Sequence, residues 1–180
     1  MEPILSELAE NDLHTLVQGD AIEALSAYPG TTYLNLFNAR VNDSSYYVAG
    51  EALRALATVD STAAYAAAKR LAAKPEKGLL ADAITSYLLQ FGTENDVDLI
   101  SVHFAAQPFR FRYGKSFAAY LGRITDVPKF KKGLDVLVAL RDRLPATFQQ
   151  QINQQLLVLL ITKKKSMGQN EQAEYVQRQL

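Results

Sequence analysis

One spacing recurs four times in this chain of 180 residues and narrows the folds open to it. Asp12, Val17, Ala21, Ala24 and Leu25 stand at offsets 0, +5, +9, +12 and +13. Asp43, Val48, Ala52, Ala55 and Leu56 repeat those offsets. Pro75, Leu80, Ile84, Tyr87 and Leu88 do so again, and then Pro108, Tyr113, Phe117, Tyr120 and Leu121. Each step is about 31–33 residues, a period at which stacked helix pairs repeat. No single unit of that length can bury its apolar stripe alone, so the repeats must pack on one another. The expectation is an all-α fold, a right-handed α-α superhelix (solenoid) of four to five helix pairs, in a single domain spanning 1–180.

Local signals agree with helices. Asp12 to about Tyr28 reads as one helix, stopped by Pro29-Gly30. Thr31 to Arg40 is a second. Asp43 or Ser44 can cap Ser45–Thr58, and Asp60-Ser61 can cap Thr62–Ala73. Gly78–Phe91 follows, and Thr93 caps Glu94–Ala106 with acids in its first turn. After Gln107-Pro108, helix resumes over Arg112–Ile124. Thr125-Asp126 ahead of Pro128 opens another helix, which runs to about Leu144. Ala146 to about Lys165 is a last long helix, with a glutamine-rich start suited to a polar capping face, and Asn170–Leu180 is a short docked one. Alanine at +9 and +12 of the first two repeats predicts close helix approach. Pro3–Ala9 is apolar at Ile4, Leu5 and Leu8, which fits either a short helix packing locally or a surface for a preceding segment.

Composition removes several function classes. Lys+Arg and Asp+Glu both number 19, and zero net charge argues against nucleic acid as a partner. With no cysteine there is no disulfide framework and no thiolate metal site. The longest apolar run, Leu156–Ile161, is too short to cross a bilayer, and Met1–Glu7 lacks the basic-then-apolar pattern of a signal peptide. The expectation is a soluble chain, cytoplasmic or cut from something longer, with no membrane partner.

Catalytic patterns are missing. The two histidines, His14 and His103, have no second histidine at helical metal-ligand spacing, and no His-Glu-x-x-His, phosphate loop or nucleophile elbow occurs. No catalytic, cofactor-binding or metal residue is therefore assigned. The unusual patch is Phe109-Arg110-Phe111-Arg112-Tyr113-Gly114-Lys115, where aromatics alternate with cations as in a stacking platform. Neutral overall charge favours aromatics anchoring a helix start with cations outward. Tyr46-Tyr47 can face a concave surface and recognise a peptide, or pack in the core. Tyr46, Tyr47, Arg110, Arg112 and Lys115 are the candidate interaction residues.

The motif Asp-x4-Val-x3-Ala-x2-Ala-Leu of the first two repeats resembles HEAT repeats, although Gln18 and Ala49 stand where most such units carry Arg. The segment Asp43-Ser44-Ser45-Tyr46-Tyr47-Val48-Ala49-Gly50-Glu51-Ala52-Leu53-Arg54-Ala55-Leu56-Ala57 is more specific. It is similar to the C-terminal helical region of bacterial zinc aminopeptidases of the aminopeptidase N family. Tyr65–Leu71 and Lys115-Ser116-Phe117-Ala118-Ala119-Tyr120 share the likeness, which covers Asp12 to Leu160. The resemblance implies a non-catalytic domain that packs on an upstream catalytic domain of the same polypeptide and limits access to its cavity. It also implies that zinc belongs to that upstream domain. The alternative is a free-standing HEAT-like scaffold binding a protein partner on its concave face.

Overall fold

The computed structural model describes residues 1–74, 76–107 and 110–180, with the side chains of Arg110 and Phe111 outside the description. It is all-helical, with no strand among the described residues. Its contacts divide into two compact units, Met1–Leu88 and Leu89–Leu180. No helix among the described residues is long and apolar enough to cross a membrane.

Unit 1 holds α1 (Glu2–Asn11), α2 (Thr15–Ser26), α3 (Leu34–Arg40), α4 (Tyr46–Val59), α5 (Ser61–Leu71) and most of α6 (Gly78–Phe91). Local chemistry sets these bounds. The Asp12 carboxylate accepts the amide of His14 at 2.7 Å, and the Asp43 carboxylate accepts that of Ser45 at 2.9 Å. The same short Asx turn thus stands at offset zero of both repeats. It also corrects the first expected helix, which starts at Thr15 because Asp12 is committed to the turn that separates α1 from α2. Pro75 and Pro108, the counterparts in the later repeats, lie outside the described residues. Asp60 caps α5 through Ala63 N–H at 2.9 Å, as the sequence predicts, whereas α4 is capped by Ser45 through Val48 N–H rather than by Ser44 or by Asp43, which closes the turn before it.

The core of unit 1 is the face where α2 and α4 meet, flanked by α1 on α2 and by α3 and α5 on α4. Ala21, Leu25, Val48, Ala52, Leu53 and Leu56 are buried there. Offsets +9 and +13 are buried in all four repeats, whereas at +12 Ala24 is exposed and Tyr87 half-buried. The +12 alanine of the first repeat therefore does not serve helix approach.

Glycine does serve it. A Cβ on Gly50 would stand 2.8 Å from the backbone carbon of Leu79 and from the Leu80 nitrogen, so α4 meets the start of α6 main chain to main chain. Gly50→Ala gains about 1 kcal/mol of helix propensity but must displace backbone. Overpacking of that kind costs about 1–3 kcal/mol. Net destabilisation of unit 1 is expected, read as a lower urea midpoint, and an unchanged or higher midpoint would refute the contact.

Unit 2 holds a 3₁₀ turn at Glu94–Asp96, α7 (Val97–Ala106), a second 3₁₀ turn at Arg110–Tyr113, α8 (Gly114–Leu121) and α9 (Val127–Arg141). Then come α10 (Ala146–Ile152), a π-helical segment Asn153–Leu157, α11 (Val158–Ser166) and α12 (Asn170–Gln177). The first turn opens on a capping box in which Thr93 N–H donates to the Asp96 carboxylate at 3.0 Å. Asp126 caps α9 through Lys129 N–H. The α9 helix packs against α7, α8 and α12. Phe104 and Phe117 stack in the core with centroids 4.1 Å apart. The short α12 is docked, with Ala173 and Val176 fully buried.

Cationic side chains tie helix ends together. Arg123 donates to the carbonyls of Leu89 at 2.8 Å and Gln90 at 3.1 Å, where α6 leaves carbonyls without intrahelical partners. The Arg40 guanidinium donates likewise to the carbonyl of Glu10 at the end of α1.

Candidate functional site

The α4 helix begins at Tyr46, and the pair Tyr46-Tyr47 therefore splits onto different faces of its first turn. Tyr46 is 42% exposed and borders a hollow of about 270 Å³ with Asp43, Arg70 and Glu76. Tyr47 turns toward α2. Its ring covers Gly19, where a Cβ would sit 2.3 Å from Tyr47 Cε1, and its hydroxyl donates to Asp20 Oδ1 at 2.6 Å. The bond to Asp20 holds the phenol proton and, with burial and the carboxylate charge, pushes the Tyr47 pKa up to about 12. Tyr47 is thus a strut between two helices.

One turn further along α4 lies Glu51, only 4% exposed. Burial raises its pKa, and the nearby charges of Glu23 and Asp20 add to that. Arg54 opposes it, its Nη1 standing 3.3 Å from Glu51 Oε1. The hydroxyl of Tyr87 donates to the Arg54 carbonyl at 3.5 Å. This array of two phenols, Asp20, Glu51 and Arg54 joins α2, α4 and α6 within unit 1. A carboxyl with a raised pKa is one mark of a proton-transfer site, and ion-pair networks produce the same shift. Here each polar group is already engaged with a neighbour on an adjoining turn or helix, so the array reads as cross-linking. Sequence inspection passed over Glu51, yet a signal existed, since it falls between Val48 and Ala55 on an apolar stripe.

The predicted cations lie in unit 2. Arg110 has its side chain outside the described residues. Arg112 is exposed, with its guanidinium 5.2 Å from the centre of the Tyr113 ring. Tyr113 is buried, so this aromatic anchors and the neighbouring cation faces outward, one of the two arrangements the alternating patch allowed. Lys115 is exposed in the first turn of α8 and borders an apolar groove.

The histidines hold local positions. His14 Nδ1 stands 3.3 Å from Asp12 Oδ1 on the surface. His103 is buried and lies 3.1 Å from the amide nitrogen of Gln107, and burial lowers its pKa.

A polar group that sequence inspection missed is Lys164, fully buried in α11. Its ammonium donates to the carbonyls of Gly122 and Ile124 and to Gln169 Oε1 at 2.8 Å, and it sits 4.6 Å from the centre of the Phe130 ring. Leu157, Leu160 and Lys164 follow helical spacing on one buried stripe, which is the signal that placed it there.

The chain matches no protein-family model, no curated protein and no solved structure.

Proposed function

We propose that this chain is a non-catalytic, HEAT-like helical-repeat domain of a zinc aminopeptidase, which packs on the catalytic domain and limits access to its cavity. The repeat reading is supported by offsets +9 and +13, buried in all four repeats, and by the matching Asx turns at Asp12 and Asp43. A right-handed superhelix of four to five helix pairs accommodates that pattern. The parent enzyme rests on the resemblance of Asp43–Ala57.

The observation that carries the packing role is where unit 1 leaves large apolar side chains in solvent. Ile4, Leu13 and Leu16 are exposed, Leu13 by 94%, and they lie close in sequence on α1, the turn after it and the start of α2. Concentrated apolar exposure marks a surface that another protein covers. In this reading the covering partner is the catalytic domain, and the zinc with its activated water lies in that domain.

Two measurements test the proposal. Purified chain should hydrolyse no aminoacyl chromogenic substrate and retain less than one equivalent of zinc. The genomic frame upstream of the Met1 codon should continue and encode His-Glu-x-x-His with a downstream Glu. Hydrolysis by the chain itself, or a stop codon directly upstream, would overturn it.

A further inference from the structure

Unit 2 carries an apolar groove along α8, walled on the far side by the π-helical segment and α11. It encloses about 670 Å³, and a smaller hollow of about 180 Å³ continues it past the same Lys115, Gln155 and Leu156. Its floor and walls include Ala118, Ala119, Leu156 and Leu159, the last 64% exposed. Small residues on α8 let a partner backbone approach closely. The π segment Asn153–Leu157 forms part of the wall, and such single-turn bulges recur at functional positions because they re-aim side chains.

Charge gives the groove polarity of a particular kind. Lys115 lies in the first turn of α8. Lys163 lies at the other end, where a Cβ on Gly122 would stand 3.0 Å from its ammonium nitrogen. Both lysines are exposed, and among the described residues no carboxylate lines either hollow. The seven steps from Lys115 to Gly122 rise about 10 Å at roughly 1.5 Å each. Two cations thus bracket an apolar trough two helical turns long.

The geometry points to a docking groove for an acidic amphipathic helix of a protein partner. The partner carries acids at positions i and i+7 and large apolar residues at i+3 and i+4. The acids are one α8 length apart and meet Lys115 and Lys163, while the apolar pair seats on Ala118, Ala119, Leu156 and Leu159. A single-headed anionic acyl chain fits less well, since it neutralises one lysine and leaves the other against its tail. Gln154 and Gln155 on the wall supply amides for the polar flank of a helix. The inference uses unit 2 alone and goes beyond the packing role proposed above.

The test uses the full chain and two fluorescent helical peptides of about four turns. One has Glu at i and i+7 around Leu at i+3 and i+4, and the other has Lys in place of Glu. By fluorescence anisotropy the acidic peptide should bind saturably and roughly tenfold or more tighter than the basic one, with the gap shrinking in high salt. The double variant Lys115→Glu, Lys163→Glu should reverse the preference and keep a cooperative thermal melt, because both side chains are exposed. Leu159→Asp should weaken both peptides. Equal binding of the two peptides, no saturation by the acidic one, or an unreversed preference in the double variant would overturn the proposal. Dodecanoate that saturates the groove through Lys115 and Lys163 while the acidic peptide does not bind would overturn it too, and assign the groove to an acyl ligand.

Discussion

Phe117→Ala is expected to lower the stability of unit 2 by about 3–5 kcal/mol, the usual cost of emptying a buried aromatic position. Phe117 is fully buried. Its ring stacks on Phe104 with an interplanar angle of 9°, and Tyr120 lies 6.2 Å away on the same helix. Truncation removes dispersion contacts on both faces of the ring and leaves a cavity that α7, α8 and α9 cannot fill without shifting as bodies. A domain stabilised by about 5–15 kcal/mol would lose a large part of its margin. Position +9 of the first repeat, Ala21, occupies the same offset with far less volume. The exposed Ala24 at +12 is the control, and Ala24→Ser should stay within about 0.5 kcal/mol of the parent. Urea titrations followed by helical circular dichroism measure both. A loss below about 1 kcal/mol for Phe117→Ala would mean that the stacked core is not formed in solution.

Those two substitutions show what a periodic sequence discloses. The stripe at +9 and +13 was readable because apolar residues recur at helical spacing, and the caps Asp60 and Asp126 because their side chains compete for the first free amides. The start of α2 was misjudged because Asp12 can either enter a helix or close an Asx turn, and that choice depends on α1 packing beside it. Nothing in Asn153-Gln154-Gln155-Leu156-Leu157 announces a π segment, since every residue there is also compatible with α-helix. The candidate site was legible only in part. Tyr46 and Lys115 are exposed as an interaction surface requires, but Tyr47 spends its hydroxyl on Asp20. Glu51 and Lys164 were hidden for one reason. A charged residue on an apolar stripe looks like a break in the pattern, and only the neighbouring helix shows whether partners wait for it.

Lys164 carries the second large effect, and its sign follows from where its proton binds. Burial, with the charge of Lys163 beside it and against the opposing charge of Glu94, lowers its pKa from 10.5 to about 8. The unfolded chain releases that proton only near 10.5, so between pH 8 and about 10 the unfolded state binds more protons than the folded one. Stability of unit 2 should therefore rise with pH across that window, by on the order of 2 kcal/mol. Above pH 10 the tyrosines reverse the trend. Burial raises the pKa of Tyr120, and a hydrogen bond to Asp135 raises that of Tyr175. In the unfolded chain these phenols ionise near 10, while in the fold they keep their protons, so folding loses ground as pH climbs. The expected profile has a maximum near pH 10. Lys164→Met should abolish the rise and keep the fall. At neutral pH the same variant removes a buried ammonium but strands the carbonyls of Gly122 and Ile124, each worth about 1–3 kcal/mol when buried without a donor. The pH slope is the sharper readout because those carbonyls do not titrate. If wild type and Lys164→Met trace the same stability curve from pH 7 to 10, the ammonium is not buried at the end of α8, and the tie between α11 and that helix end does not exist.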